Sequence, residues 1–308
     1  MQIVPFRSRS ASNGMKRWEI IVLVLVILFF GFSFSQDILA RLVWQKYGRA
    51  DIALALVRRD AGLAMQLGNY YFNGTIGKSE YNLEKAERAY KKAVAINSKI
   101  LWGHYQLARI YFVSPVRSLA RAIGASPKDL GEATSNGVKG NYDAAVDEIN
   151  KELEANPENL RSLYVRGLIY GYRNQFGDLE LAENDFRRFT YWAPSEWAGY
   201  NDLAWILSKA GKYRGAKEAI QNAFANAPNA SNNPWLWNSQ GVAELNLGEY
   251  KNAQKSFERA MELAGKLTPE DWRKSYPGND PASADSGLDQ FKTALEKNLE
   301  RAKTLGAI

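Results

Sequence analysis

The chain has 308 residues, of which 46% are hydrophobic and 24% charged, the balance of a folded protein. It has no cysteine and a single histidine, His104, which excludes disulfides, thiol catalysis, thiolate zinc sites and any multi-histidine metal centre. The net charge of +7 does not point to nucleic acid: Arg7, Arg9, Lys16 and Arg17 supply four of the 40 basic side chains, leaving 36 against 33 acidic ones. A nucleic-acid binder concentrates its basic face on the folded part, so none is expected as a partner here.

Residues 1–17 form a basic tail, followed by "WEIIVLVLVILFFGFSFS" from Trp18 to Ser35, whose stretch Ile20–Phe34 carries no charge. That length is at the short end of what crosses a hydrocarbon core of about 30 Å. The first reading is a retained signal-anchor over 18–36, with Trp18 at the interface and the lipid bilayer as partner. The second is a cleaved signal peptide, with Ser33 or Ser35 as the small residue at its processing site. Basic residues ahead of the segment place the amino terminus in the cytoplasm and the rest outside it. Arg41, Lys46 and Arg49 soon after weaken that asymmetry. Residues 37–60 remain helix-forming, as a stalk or a degenerate half-repeat.

A repeat then becomes visible. The segments "YNLEKAERAYKKAVAINS", "YDAAVDEINKELEANP", "GDLELAENDFRRFTYWAP", "GKYRGAKEAIQNAFANAP" and "GEYKNAQKSFERAMELAG" each place an alanine early: Ala86, Ala145, Ala182, Ala216 and Ala253. Four residues on stands a large apolar residue: Tyr90, Ile149, Phe186, Ile220 and Phe257. Pro157, Pro194 and Pro228 close three of the segments, where a residue without an amide proton stops a helix. Ahead of them, Leu67-Gly68 with Tyr71, Leu107-Ala108 with Tyr111, and Leu203-Ala204 with Leu207 repeat a second spacing. Gly167 with Tyr170 and Trp237 with Gly241 keep part of it, but Arg166 and Gln240 replace the leucine.

The alanines lie 59, 37, 34 and 37 residues apart. This helix–turn–helix period resembles the tetratricopeptide repeat (TPR) family over about residues 61–265. The resemblance implies an all-α, right-handed solenoid of about five repeats, and the uncharged stretch ahead of it adds one transmembrane helix to that expectation. The 59-residue interval exceeds the 34-residue period by 25, so Ser114–Val138 is an insertion in the second repeat. Its "VRSLARAIGAS" and the start at Ser126-Pro127 read as two short helices of a flap; Ala120, Gly124 and Leu130 carry a weak helix-turn-helix spacing, and a gene regulator using it is an alternative function. Residues 266–287, rich in Pro, Gly, Ser and Asp, read as a loop. Residues 288–308 read as a capping helix, with Leu288, Phe291, Leu295 and Leu299 on its apolar stripe.

No catalytic or cofactor site is legible. His104 falls at the large-residue position of a first helix, and neither "GxxxxGK[ST]" nor "GxGxxG" occurs. The expectation is a protein that is not an enzyme and needs no cofactor. The TPR resemblance places a concave groove on the first helices and implies protein or peptide partners there. Carried over by phase, the groove set is Asn69; Trp102, Tyr105 and Arg109; Arg161 and Tyr164; Asn201 and Trp205; Trp235 and Asn238, with Met65, Leu168 and Val242 beside them. A membrane-tethered scaffold in assembly of an envelope complex is the first function. An accessory factor or enzyme acting on cell-envelope polymers is the alternative.

Overall fold

The computed structural model describes residues 17–73, 82–113, 141–275 and 284–307. The insertion at 114–138 lies outside the described residues. All regular structure among them is helical. Helix α1 (Arg17–Tyr47) is a single 31-residue element, and α2 (Ala50–Leu56) folds back against it. Among the described residues no helix is long and apolar enough to cross a membrane. The side chains of 19–20 and 23–34, on which the expected anchor falls, are outside that set.

Ten helices come next in five pairs: α3 (Ala61–Phe72) with α4 (Leu83–Ile96), α5 (Gly103–Val113) with α6 (Tyr142–Ala155), α7 (Leu160–Arg173) with α8 (Asp178–Trp192), α9 (Trp197–Lys209) with α10 (Tyr213–Asn226), and α11 (Pro234–Asn246) with α12 (Tyr250–Ala264). Their starts are locally encoded. Asp60, Asn82, Asn141, Asn159 and Asn233 each accept a backbone N–H from the first turn of the helix they precede, which satisfies a donor the helix leaves over. Pro234 occupies a first-turn position, where its missing N–H costs nothing. Gly211 and Gly248, at φ 73° and 78°, make the left-handed turns inside the last two pairs.

Each helix packs on its chain neighbours, and from the second pair onward successive first helices also touch one another. The second helices meet each other less. First helices therefore line the tighter, concave side. The core is continuous along the pairs: α1 contributes Ala40, Val43 and Trp44 to the first repeat, and α14 (Ala284–Gly306) packs Leu295 and Ala302 against Phe257 and Ala260 at the other end. Where a loop was expected over 266–287, the chain forms α13 (Pro269–Ser275), and α14 starts before residue 288. The reason is local. Thr268 and Asp271 hydrogen-bond reciprocally, side chain to backbone in both directions, as a capping device around Pro269.

The recurring small–large phase has a steric basis. A Cβ built on Gly68, Gly167 or Gly241 would lie 2.4 Å from Tyr90, 2.9 Å from Phe186 and 2.6 Å from Phe257 respectively. The equivalent first-helix positions in the second and fourth repeats are Ala108 and Ala204, and there the large residues are Ile149 and Ile220. Glycine thus goes with an aromatic ring, alanine with isoleucine. Close-packed interiors admit either solution but not a mixture. Gly241→Ala and Phe257→Ile are each expected to cost about 1–3 kcal/mol, by overpacking and by leaving a void. The double variant recreates the alanine–isoleucine pair and should recover much of the loss. Urea unfolding would show a favourable coupling of about 1 kcal/mol or more; strictly additive losses would refute the volume argument.

Candidate functional site

Repeat phase assigns ten residues to the concave side, and the structure sorts them by what each one touches. In the first repeat, Asn69 is half-buried and its Oδ1 accepts from the Tyr90 hydroxyl at 2.8 Å and from Gln106 Nε2 at 3.3 Å. It joins the first two repeats as much as it faces the groove.

The second repeat begins at Trp102, which has φ 73°, a conformation rarely adopted by residues with a Cβ. Glu152 of α6, 0% exposed, holds it there. Its carboxylate accepts the N–H groups of Trp102 at 3.0 Å and Tyr105 at 3.3 Å, and also Asn156 and Asn159 side chains. A carboxylate at the start of α5 also complements the positive end of that helix. The Trp102 ring meets Tyr105 edge-on at 5.1 Å. Arg109 is buried, its guanidinium 4.5 Å from the centre of the Phe72 ring and donating to Gln106 Oε1 at 3.0 Å. His104 points to the second helix: Nδ1 is 2.6 Å from Glu148 and Nε2 is 3.2 Å from the Ser98 carbonyl.

Between the third and fourth repeats lies a polar chain that spacing did not reveal. The Tyr164 hydroxyl donates to Asp202 Oδ2 at 2.5 Å, Asn201 Nδ2 donates to Asp202 Oδ1 at 3.1 Å, and Ser239 Oγ donates to Asn201 Oδ1 at 2.8 Å. Three repeats are linked through it. Asp202 is 5% exposed, and burial pushes its carboxyl up to about 6 against the two hydrogen bonds that favour the charged form. Trp205 is half-buried. Its ring fills the space left by Gly171 and lies 5.0 Å from Tyr172 of the preceding first helix, with the Lys209 ammonium 5.1 Å from its centre.

Arg161 is exposed and stands at the rim of a cleft of about 640 Å³, walled by Tyr164, Phe189 and Trp197 and, from α13, by Asp271 and Lys274. The fifth repeat is covered. Trp235 is 7% exposed, stacked on Trp197 at 5.4 Å and on Phe291 of α14 at 5.7 Å, with Trp272 of α13 at 5.6 Å. Asn238 is half-buried and accepts from Asn298 of α14 at 3.4 Å. Phase alone could not show this, because the covering residues come from beyond the repeats. Trp197, Phe189 and Asp202 also went unread. Trp197 sits at the very start of its helix, and Asp202 is one position off the groove phase.

Residues 236–267 match the tetratricopeptide repeat family. Paired helices in this phase continue through the chain. The fold is a TPR-type solenoid. It is similar to PilW, a widely conserved type IV pilus biogenesis factor, at 14% identity and a TM-score of 0.50, over 81% of this chain and 99% of that one. It is similar to the PilF protein of Pseudomonas aeruginosa at 15% identity and a TM-score of 0.50, over 80% of this chain and 97% of that one. At these identities the likeness concerns the fold. No curated protein matches the chain. Against the TPR pattern, Arg166 and Gln240 stand where leucine is usual, and both find polar partners: Arg166 binds Asp185 through two 2.8 Å contacts, and Gln240 donates to Glu244 at 2.9 Å.

Proposed function

We propose that this chain is a membrane-anchored TPR scaffold that holds a protein or peptide partner on its concave face, outside the cytoplasm, in assembly of an envelope complex. The observation that carries the binding reading is the open cleft between the third and fourth repeats. It combines aromatic walls from Tyr164, Phe189 and Trp197 with two exposed cations, Arg161 and Lys274. Aromatic and arginine side chains in such surroundings dominate binding energy at protein interfaces. Trp205 and Trp102 extend the same face on either side. A photocrosslinking amino acid at Ala198, which lines the cleft, is expected to capture a partner in cells. One at Lys255 on the exposed side of a second helix is not. Equal capture from both positions, or none from Ala198, would defeat the concave-face reading.

The anchor reading rests on the uncharged stretch Ile20–Phe34, which lies inside the continuous helix α1. The carboxy-terminal part of α1 is rigidly joined to the solenoid. Asp37 accepts the backbone N–H of Arg58 at 2.7 Å and of Arg59 at 3.2 Å, Arg41 pairs with Asp60 at 2.5 Å, and Trp44 meets Tyr70 at 4.9 Å. The first repeat therefore starts at the level of the headgroups, with no flexible linker. The absence of cysteine makes the test direct. A single cysteine at Ser195, exposed on the solenoid, should react with an impermeant maleimide on intact cells, or on spheroplasts if an outer membrane is present. One at Ser10 should react only after lysis. The reverse pattern would invert the topology.

A further inference from the structure

We infer that the turn between α2 and α3 is a site for the phosphate of an anionic lipid headgroup, formed by Arg58 and Arg59 where α1 leaves the bilayer. The inference deepens the anchor reading and rests on it for the source of the phosphate. The turn is fixed at both ends. Val57 is buried in the core of the first repeat, and Asp60 caps α3 through the Leu63 N–H at 2.9 Å. Between them, Asp37 of α1 accepts the backbone N–H of Arg58 on one oxygen at 2.7 Å and that of Arg59 on the other at 3.1 Å. Gln36 Oε1 accepts Arg58 Nε at 2.9 Å. Asp37 is the first charged residue after the stretch Ile20–Phe34, three positions beyond its end. At about 1.5 Å per residue that is about 4–5 Å, inside the interfacial layer of about 5–8 Å that flanks the hydrocarbon. Two exposed arginines are therefore held at the depth of the headgroups.

The charges around the turn are predominantly positive. Arg41 is matched by Asp60 at 2.5 Å, and Lys85 by Asp51 at 2.9 Å. The Asp37 oxygens go to backbone N–H groups, so this carboxylate holds the turn and leaves both arginines exposed. A further cation stands close by. Lys92 donates to the Leu54 carbonyl at 2.8 Å, and burial first and the Arg58 charge second hold it below the usual lysine range, with Asp37 acting the other way. Such a cluster is complementary to an anion. The bilayer is its source for a separate reason. Ile38, Leu39 and Leu42 are exposed on the side of α1 opposite Ala40, Val43 and Trp44, which pack into the first repeat. An apolar helix face beside arginines at one depth fits the boundary where hydrocarbon meets phosphate. A free phosphate or an acidic peptide would not cover that face.

The test uses the full-length chain in a neutral detergent, with Arg7, Arg9, Lys16 and Arg17 changed to glutamine so that the amino-terminal tail does not bind the same lipid. Equimolar phosphatidylglycerol and phosphatidylcholine are added, and native mass spectrometry counts which of them the chain retains. Each arginine near an anionic surface contributes about fivefold in affinity, so phosphatidylglycerol should be preferred by about fivefold or more. Arg58→Gln with Arg59→Gln should bring the ratio below about twofold with the helical signal unchanged, since the turn is held through its backbone. Raising ammonium acetate from about 50 to 500 mM should do the same without any substitution in the turn. Arg58→Lys with Arg59→Lys should keep most of the preference, as should Arg214→Gln with Lys251→Gln, two exposed cations on second helices. Equal retention of the two lipids would overturn the inference, as would a preference that survives the glutamine pair or the salt. Complete loss of the preference on adding inorganic phosphate, or a hexaglutamate peptide, equimolar with the lipid would also overturn it, by assigning the turn to a free anion or to an acidic protein. Retention of the unaltered chain in carbonate-washed membranes tests the anchor by itself, so failure of this inference is distinguishable from failure of the anchor reading.

Discussion

Replacing Arg166 with leucine, the residue usual at that position of a TPR, is expected to destabilise the protein by about 3–5 kcal/mol. The direction runs against the family pattern because of the group Arg166 faces. Asp185 is 2% exposed and takes both its strong contacts from the guanidinium, at 2.8 Å each, while the remaining Nη1 donates to Asn150 at 2.9 Å. Leucine would leave a buried carboxylate without compensation. Changing both partners, Arg166→Leu with Asp185→Leu, removes the charge together with its counter-charge and should restore most or all of the loss. The measurement is urea unfolding in detergent followed by helical circular dichroism. A single Arg166→Leu variant as stable as the parent would show that the pair contributes nothing and that the pattern's leucine was free to return.

Asp202 is expected to give stability an unusual pH slope. Its folded carboxyl titrates near 6 rather than near 3.8, because burial disfavours the charge. A raised pKa means that the folded state holds its proton more tightly than the unfolded chain does. The resulting contribution is fully present below about pH 3.8 and is lost as pH rises through 6. At 1.36 kcal/mol per pH unit, the loss across that window is about 3 kcal/mol. In Asp178 and Glu183 the effect of burial is outweighed, by Arg173 and by Lys212 with Arg187 respectively, so both are held low and act the other way, below pH 4.5. Comparison with Asp202→Asn separates the two effects. The parent's stability should fall relative to that variant between about pH 4 and 6 and run parallel above 7. A constant difference across the window would mean that Asp202 titrates normally. The same slope bears on function, since Asp202 ties Tyr164 and Asn201 together on the proposed binding face.

The helix pairs were legible because everything that makes them is local. Asparagine and aspartate caps, the glycine turns at 211 and 248, and the prolines that close α6, α8 and α10 all act within a few residues. The alanine–aromatic phase was legible too, although its meaning was not. Only packing shows that Gly68, Gly167 and Gly241 exist to let Tyr90, Phe186 and Phe257 approach. The short helix α13 escaped notice for the opposite reason: a seven-residue element rich in charge carries no apolar period to read.

By itself, the sequence determined the order, length and phase of the repeats, since amphipathic spacing and caps encode local structure and a solenoid adds only neighbour contacts. Of the residues assigned to the first helices by phase, Trp102 stands one position ahead of α5, in a left-handed turn. Which of those are open was decided by tertiary structure alone. Trp205 and Trp235 occupy first helices of adjacent repeats, yet one stays half-exposed beside Tyr172 while the other lies beneath Trp272 and Phe291. The physical reason is that burial is a property of what else arrives, and the covering rings come from elements outside the repeat period.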